Sequence, residues 1–184
     1  DYAVSPPEPT ILDNLSRAGA DVCAIGKISD IFNGSGITRS IHTESNLDGI
    51  RRTIGEARQA DSPRPGLIFT NLVDFDSKFG HRRDAEGYAM AIEEFDRNLP
   101  ELLSFMTPED LLILCADHGN DPLHSGWDHT REYVPVVFYG TDIEPGKNLG
   151  TRGSFADIGA TVADFLGVPP ATLGESMRSL LTRR

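Results

Sequence analysis

Cysteine is scarce in this chain, which holds only Cys23 and Cys115. They lie far apart, each inside an apolar run, so they read as small packed hydrophobes and not as a redox pair. Such usage fits a reducing compartment. Long apolar stretches are also missing: no run approaches the roughly 20 residues that cross a bilayer, and no basic-then-apolar leader opens the chain. The expectation is a cytoplasmic protein with no membrane partner. Positive charge is in short supply too, with 17 Lys and Arg against 28 Asp and Glu and a formal charge of −11. A nucleic-acid groove needs a basic stripe, so nucleic acid is not an expected partner. There is no internal repeat, low-complexity tract or second-domain boundary. The chain also lacks an initiator methionine, starting at Asp1, which leads us to expect a piece of a longer protein.

What is present suffices for one ordinary core, since 39% of the 184 residues are hydrophobic. Residues 1–9 hold three prolines and read as an extended entry. Thr10 followed by Asp13 resembles a capping box, with Ile11, Leu12 and Leu15 on the apolar face of a short helix that ends at Gly19. Asp21–Ile28 is an apolar run of buried-strand type. Residues 29–45 mix Gly, Ser, Asn and Thr and predict an irregular loop. Ser45 and Asp48 then open a second helix, carried by Leu47, Ile50, Ile54 and Ala57 to about Gln59, and the DSPRPG stretch stops it. Gly66–Val73 predicts a second strand. Tyr88, Ile92, Phe95, Leu99 and Leu102 mark one face of a long amphipathic helix. Residues 111–116 predict a third buried strand, and Tyr133–Gly140 a fourth that Pro135 places at an edge or makes start late. A helix follows Ser154, with Phe155, Ile158, Val162, Phe165 and Leu166 inward, and Gly167 and Pro169 end it. Past Ala171 a short helical turn is expected. Strands alternating with helices predict an α/β fold with a doubly wound, mostly parallel sheet.

In open α/β sheets, ligands sit beyond the carboxyl ends of the strands. Asp76 and His81 follow the second predicted strand, Asp117 and His118 follow the third, and His129 lies in the loop after that. Taken singly, a strand-end aspartate often caps the next turn and a lone histidine is commonly a satisfied surface group. Together, Asp-x-x-x-x-His, Asp-His-Gly-Asn and Asp128-His129-Thr130 point to a divalent metal centre. Mixed oxygen and nitrogen donors suit Mn²⁺ or Zn²⁺ better than Ca²⁺. Paired cations about 3.5–4 Å apart are a standard means of holding a transferring phosphoryl group. The HRRD segment looks superficially like a kinase catalytic loop, but no Gly-rich loop or DFG segment accompanies it.

At these residues the chain resembles the phosphopentomutases, manganese-dependent members of the alkaline phosphatase superfamily. The match is colinear through GKISDIF (26–32), SNLDGI (45–50), VDFDSKFGHRRD (73–84), ADHGNDP (116–122) and DHTREYVPV (128–136). Cofactor-independent phosphoglycerate mutases share the ADHGN segment, but their aspartate-to-histidine spacing is shorter and they lack GHRRD and DHTREYVP. The resemblance implies a three-layer α/β/α, alkaline-phosphatase-like core, here incomplete. Residues 1–184 would be the C-terminal portion of the metal-binding core domain, without the N-terminal core segment or the cap domain. It implies two Mn²⁺ ions, one on Asp117 and His118, the other on Asp76, His81 and His129. A further metal-ligand aspartate and the phosphate-carrying threonine belong to the part not in this sequence. The implied partners are a pentose phosphate substrate and a sugar bisphosphate activator.

The alternatives at this point are another superfamily member, whether mutase-like or a phosphohydrolase, and a non-catalytic metal-binding module. His42 and His124 match no ligand position and read as surface residues. Asp74 reads as structural or as a support to the ligand residues. Lys27 is placed to meet a substrate phosphate, and Arg82, Arg83 and Arg131 to lend positive charge near the metals; for each, a salt bridge that holds a loop or support of a ligand carboxylate is an equal alternative.

Overall fold

A computed structural model describes residues 4–59 and 66–182. The first part of the predicted entry segment and most of the predicted DSPRPG stop lie outside the described residues. The capping box at Thr10 forms as expected, the Asp13 carboxylate accepting the Thr10 N–H at 2.7 Å and its hydroxyl at 2.9 Å. It opens helix α1, Ile11–Arg17, whose Leu12 and Leu15 are fully buried. Gly19 then takes the left-handed conformation that turns the chain into strand β1, Asp21–Ile25. Every residue of β1 after Asp21 is buried, as expected of a central parallel strand.

Strand β1 ends at Ile25, short of the predicted Ile28, and two elements form between there and Ser45, where an irregular loop was expected from residue 29. Helix α2 is the single turn Ile28–Ile31, and strand β2 is Arg39–Ile41. The strand was hidden because it is a three-residue, largely exposed edge with no apolar alternation to show. Thr38 secures its start: its hydroxyl accepts the Val22 N–H at 2.8 Å and donates to the Asp21 carboxylate. Helix α3, Asn46–Arg58, is capped by Ser45, whose hydroxyl accepts the Asp48 N–H at 3.2 Å. Strand β3, Gly66–Thr70, pairs parallel to β1 in the register Val22↔Leu67 and Ile25↔Thr70, giving the order β2-β1-β3.

Side chains of a strand alternate between faces. Accordingly Leu67 and Phe69 join Leu12, Leu15 and Val22 in one core, while Thr70 faces α3, its hydroxyl 2.6 Å from that of Thr53. Helices therefore cover both faces of this parallel sheet. A π-helical turn, Phe75–Gly80, follows β3 and leads into the long helix α4, Ala85–Phe105. Of the expected inner face, Tyr88, Phe95, Leu99 and Leu102 are half-buried, whereas Ile92 is 51% exposed and the small residues Gly87 and Ala91 are the buried ones. Close packing selects the small residues here, since a Cβ on Gly87 would lie 2.4 Å from the Phe79 ring.

Strands β4, Leu112–Cys115, and β5, Val136–Tyr139, are shorter than predicted, and β5 starts directly after Pro135. They pair antiparallel with each other in a second, two-stranded sheet and not in the ladder of β1–β3. The mostly parallel sheet is seen in β1–β3, and the antiparallel part is β4–β5, where the connection holding His129 returns β5 beside β4 in the opposite direction. Helix α5, Ala156–Leu166, joins the two halves. Its Val162 and Leu166 pack on the Leu12 core, and its Ile158 and Phe165 on a second cluster of Ile143, Met177 and Leu181. Phe155, expected inward, instead precedes the helix and is 56% exposed. Helix α6, Arg178–Leu181, is the predicted C-terminal turn. No helix among the described residues is long and apolar enough to cross a membrane.

Candidate metal centre

The chain leaving β3 is tied first to the start of α3. Asn46 and Asp74 exchange two bonds, each backbone N–H donating to the other's side-chain oxygen at 2.9 Å. Asp74 also meets Lys78 at 3.1 Å, so its carboxylate is engaged in holding the turn. Asp76 then enters the π-helical turn, where the His81 N–H donates to the Asp76 carbonyl at 2.9 Å. A five-residue hydrogen-bonded step places His81 over Asp76. The Asp-x-x-x-x-His spacing is thus a geometric device that puts a carboxylate and an imidazole on one side of a widened turn.

Beyond β4, Asp117 and His118 come out at the strand's carboxyl end, and the chain runs through a loop before β5. An antiparallel bridge between Gly119 and Thr130 closes that loop at its base, with the Thr130 N–H donating to the Gly119 carbonyl at 3.0 Å. Gly119 leaves no room for a side chain there, since a Cβ would sit 2.9 Å from the Thr130 carbonyl oxygen. The closed loop carries His129 back over the turn that follows β3.

Asp76, His81 and His129 converge, each offering a donor atom within 4.8 Å of the others. The Asp76 Oδ1 atom lies 3.1 Å from His129 Nε2 and 3.4 Å from His81 Nε2. The Nδ1 atom of His81 is 2.6 Å from the Trp127 carbonyl. A carbonyl only accepts, so Nδ1 is the nitrogen that donates there, and Nε2 is the one left to face Asp76. Two imidazole nitrogens and a carboxylate oxygen facing one point form a donor set that could hold a metal ion. A histidine ligand held through its other nitrogen by a carbonyl is the usual support for a metal. Asn120, nearly buried, donates to Asp76 Oδ1 at 2.7 Å and holds the carboxylate in place.

His118 lies on the other side of His129, the two rings stacked with centroids 3.8 Å apart. Its Nε2 is 3.7 Å from Asp117 Oδ2, and its Nδ1 is 3.2 Å from the Gly119 carbonyl. All five residues singled out from the sequence are therefore in one region, as a three-residue cluster and an adjoining pair. His42 and His124 belong to no group of three potential ligands among the described residues, and both are exposed. Lys27, Arg82 and Arg131 are exposed as well. Burial, then the charge of Asp76, pushes the Tyr88 hydroxyl up from its ordinary pKa. Sequence reasoning passed over Asn120 and the Trp127 carbonyl. Neither carries a signal in the sequence, because each acts through a direction that only the folded loop sets.

This geometry can be set beside known proteins. The profile of the metalloenzyme superfamily matches residues 1–170. The chain belongs to the metalloenzyme superfamily. Within its reach it is similar to curated phosphopentomutases, 57% identical over 178 residues to that of Clostridioides difficile and 59% identical over 176 residues to that of Symbiobacterium thermophilum. These alignments cover 97% and 96% of this chain but 45% and 44% of the relatives, so the chain spans somewhat under half their length. A solved Leishmania mexicana phosphoglycerate mutase superposes on 94% of the chain and 39% of its own, with a TM-score of 0.65 and 17% identity. That likeness concerns the fold and supports the α/β, alkaline-phosphatase-like architecture of the superfamily. Membership also agrees with a cluster of three side chains that could hold a metal ion.

Proposed function

We propose that this chain is the metal-holding part of a phosphopentomutase, which interconverts ribose or deoxyribose 1-phosphate and 5-phosphate. The observation that carries this reading is the convergence of Asp76, His81 and His129 on one point, in a chain that is 57% identical to a phosphopentomutase along nearly its whole length. In this reading Asp76, His81 and His129 hold one Mn²⁺, and Asp117 and His118 are two of the ligands of a second. When bound, such cations neutralise charge that develops on a transferring phosphoryl group.

The chain's own residues supply orientation. The Trp127 carbonyl fixes the His81 ring, Asn120 fixes the Asp76 carboxylate, and the Gly119–Thr130 bridge sets the height of His129. The reaction passes through a phosphothreonine enzyme and a sugar bisphosphate, and the bisphosphate serves as activator. In this reading the threonine and the cap belong to the length of the relatives that this chain does not span, and the 184 residues alone do not turn over pentose phosphates. The protein acts in the cytoplasm, the compartment of nucleoside breakdown.

A coupled assay with ribose 1-phosphate tests this on the 184 residues and on the longer parent. The proposal expects turnover by the parent and none by the chain alone. Phosphate release from simple esters by a parent without mutase activity would make it a phosphohydrolase of the same superfamily.

A further inference from the structure

Arg83 is the one non-glycine residue of the ligand-bearing loops held in the left-handed backbone region, at φ 56°. A non-glycine side chain persists there only where its surroundings fix it. The fixing contacts are visible. Nη1 donates to the Gly80 carbonyl at 3.1 Å, to Asn120 Oδ1 at 2.7 Å and to the Asp121 carbonyl at 2.8 Å. Nη2 donates to the Asp128 carbonyl at 2.6 Å, and Nε to the Gly126 carbonyl. One guanidinium therefore joins the turn after β3 to both limbs of the loop after β4.

Each of the three clustered donors is one contact from these bonds. Asn120, which accepts from Arg83 through its oxygen, gives its amide N–H to Asp76. The Trp127 carbonyl, flanked by the two carbonyls that Arg83 pins at Gly126 and Asp128, accepts from His81 Nδ1. His129 directly follows Asp128. We propose that Arg83 is the positioning residue of this metal centre, a single forked cation that sets Asp76, His81 and His129 at once and preorganises them before metal arrives. The inference rests on the reading of those three residues as a metal site. A lysine cannot replace it, because an ammonium at one point does not span acceptors that lie around a planar fork. The left-handed backbone makes a separate contribution, which Arg83→Gly would keep without the fork.

The test is Mn²⁺ binding to the 184-residue chain by calorimetry, with circular dichroism and a metal-free melting curve on each variant. Arg83→Lys and Arg83→Gly are expected to retain the metal-free fold and to bind Mn²⁺ about 10–100-fold more weakly, the usual loss when a residue supporting a metal ligand is removed. His124→Ala serves as the unaffected control. Wild-type affinity in both variants overturns the role of Arg83 while leaving the metal reading intact. Loss of the metal-free fold in Arg83→Lys also overturns it, by making Arg83 a general structural residue. A wild-type chain that takes up no Mn²⁺ overturns the metal reading and this inference together.

Discussion

His129 offers the sharpest perturbation, because it is one of three donors in the cluster and its ring also stacks on His118 at 3.8 Å. A cation that binds only the folded chain raises stability by RT ln(1 + [L]/Kd), about 2.7 kcal/mol at a hundredfold excess over Kd. For a domain of this size each kcal/mol moves the melting temperature by roughly 2–4 °C, so Mn²⁺ should raise it by about 5–11 °C. Losing a direct ligand costs at least the roughly 10–100-fold seen when a supporting residue is lost. At the same Mn²⁺ concentration His129→Ala then keeps no more than about 0.4–1.4 kcal/mol, or roughly 1–6 °C. His124, exposed and outside the cluster, is the matched control, and His124→Ala should shift as the wild type does. The assay is differential scanning fluorimetry with and without Mn²⁺, each variant measured against its own metal-free curve, which removes any effect on intrinsic stability. Equal shifts in the two variants would refute the ligand assignment.

Further outcomes follow from particular contacts. A Cβ at Gly80 would lie 2.5 Å from Asn120 Nδ2 and 2.9 Å from the Phe75 carbonyl, so Gly80→Ala should push Asn120 off Asp76 and weaken Mn²⁺ binding in calorimetry. Leu15→Ala, at a fully buried position between α1, β1 and α5, should cost about 2–5 kcal/mol and lower the melting temperature measured by scanning calorimetry. Asp157 is held below the usual carboxylate range by the Glu175 backbone N–H and then by the Arg152 guanidinium. Its contribution is present above the unfolded value of about 3.9 and is lost as pH falls through the lower folded value. Denaturant midpoints should therefore fall with acidification below about pH 4, and less steeply in Asp157→Asn.

The sequence made the local signals legible and left the long-range ones hidden. Thr10–Asp13 and Ser45 announced helix starts through chemistry confined to a few residues, and β1 announced itself by burial on both faces. The edge strand β2 could not, because its start depends on Thr38 meeting Asp21 and Val22 across the chain. Period alone also placed Ile92 on the inner face of α4, where Gly87 and Ala91 win by allowing close approach and Ile92 is left in solvent. The direction of β5 was hidden for a similar reason, since apolar content does not say whether a strand runs with or against its neighbour. At the site, the five donors stood out by residue type and place at strand ends. Of what holds them, only Arg83 showed, as one of four basic residues open to such a role, while Asn120 and the Trp127 carbonyl act through loop geometry that no spacing encodes.

The central claim is that Asp76, His81 and His129 share a cation. Anomalous diffraction from crystals of this chain grown with Mn²⁺ measures it most directly. The account predicts a peak bounded by Asp76 Oδ1, His81 Nε2 and His129 Nε2. Mn²⁺ found only elsewhere, or an empty position between those three atoms at saturating Mn²⁺, would contradict it.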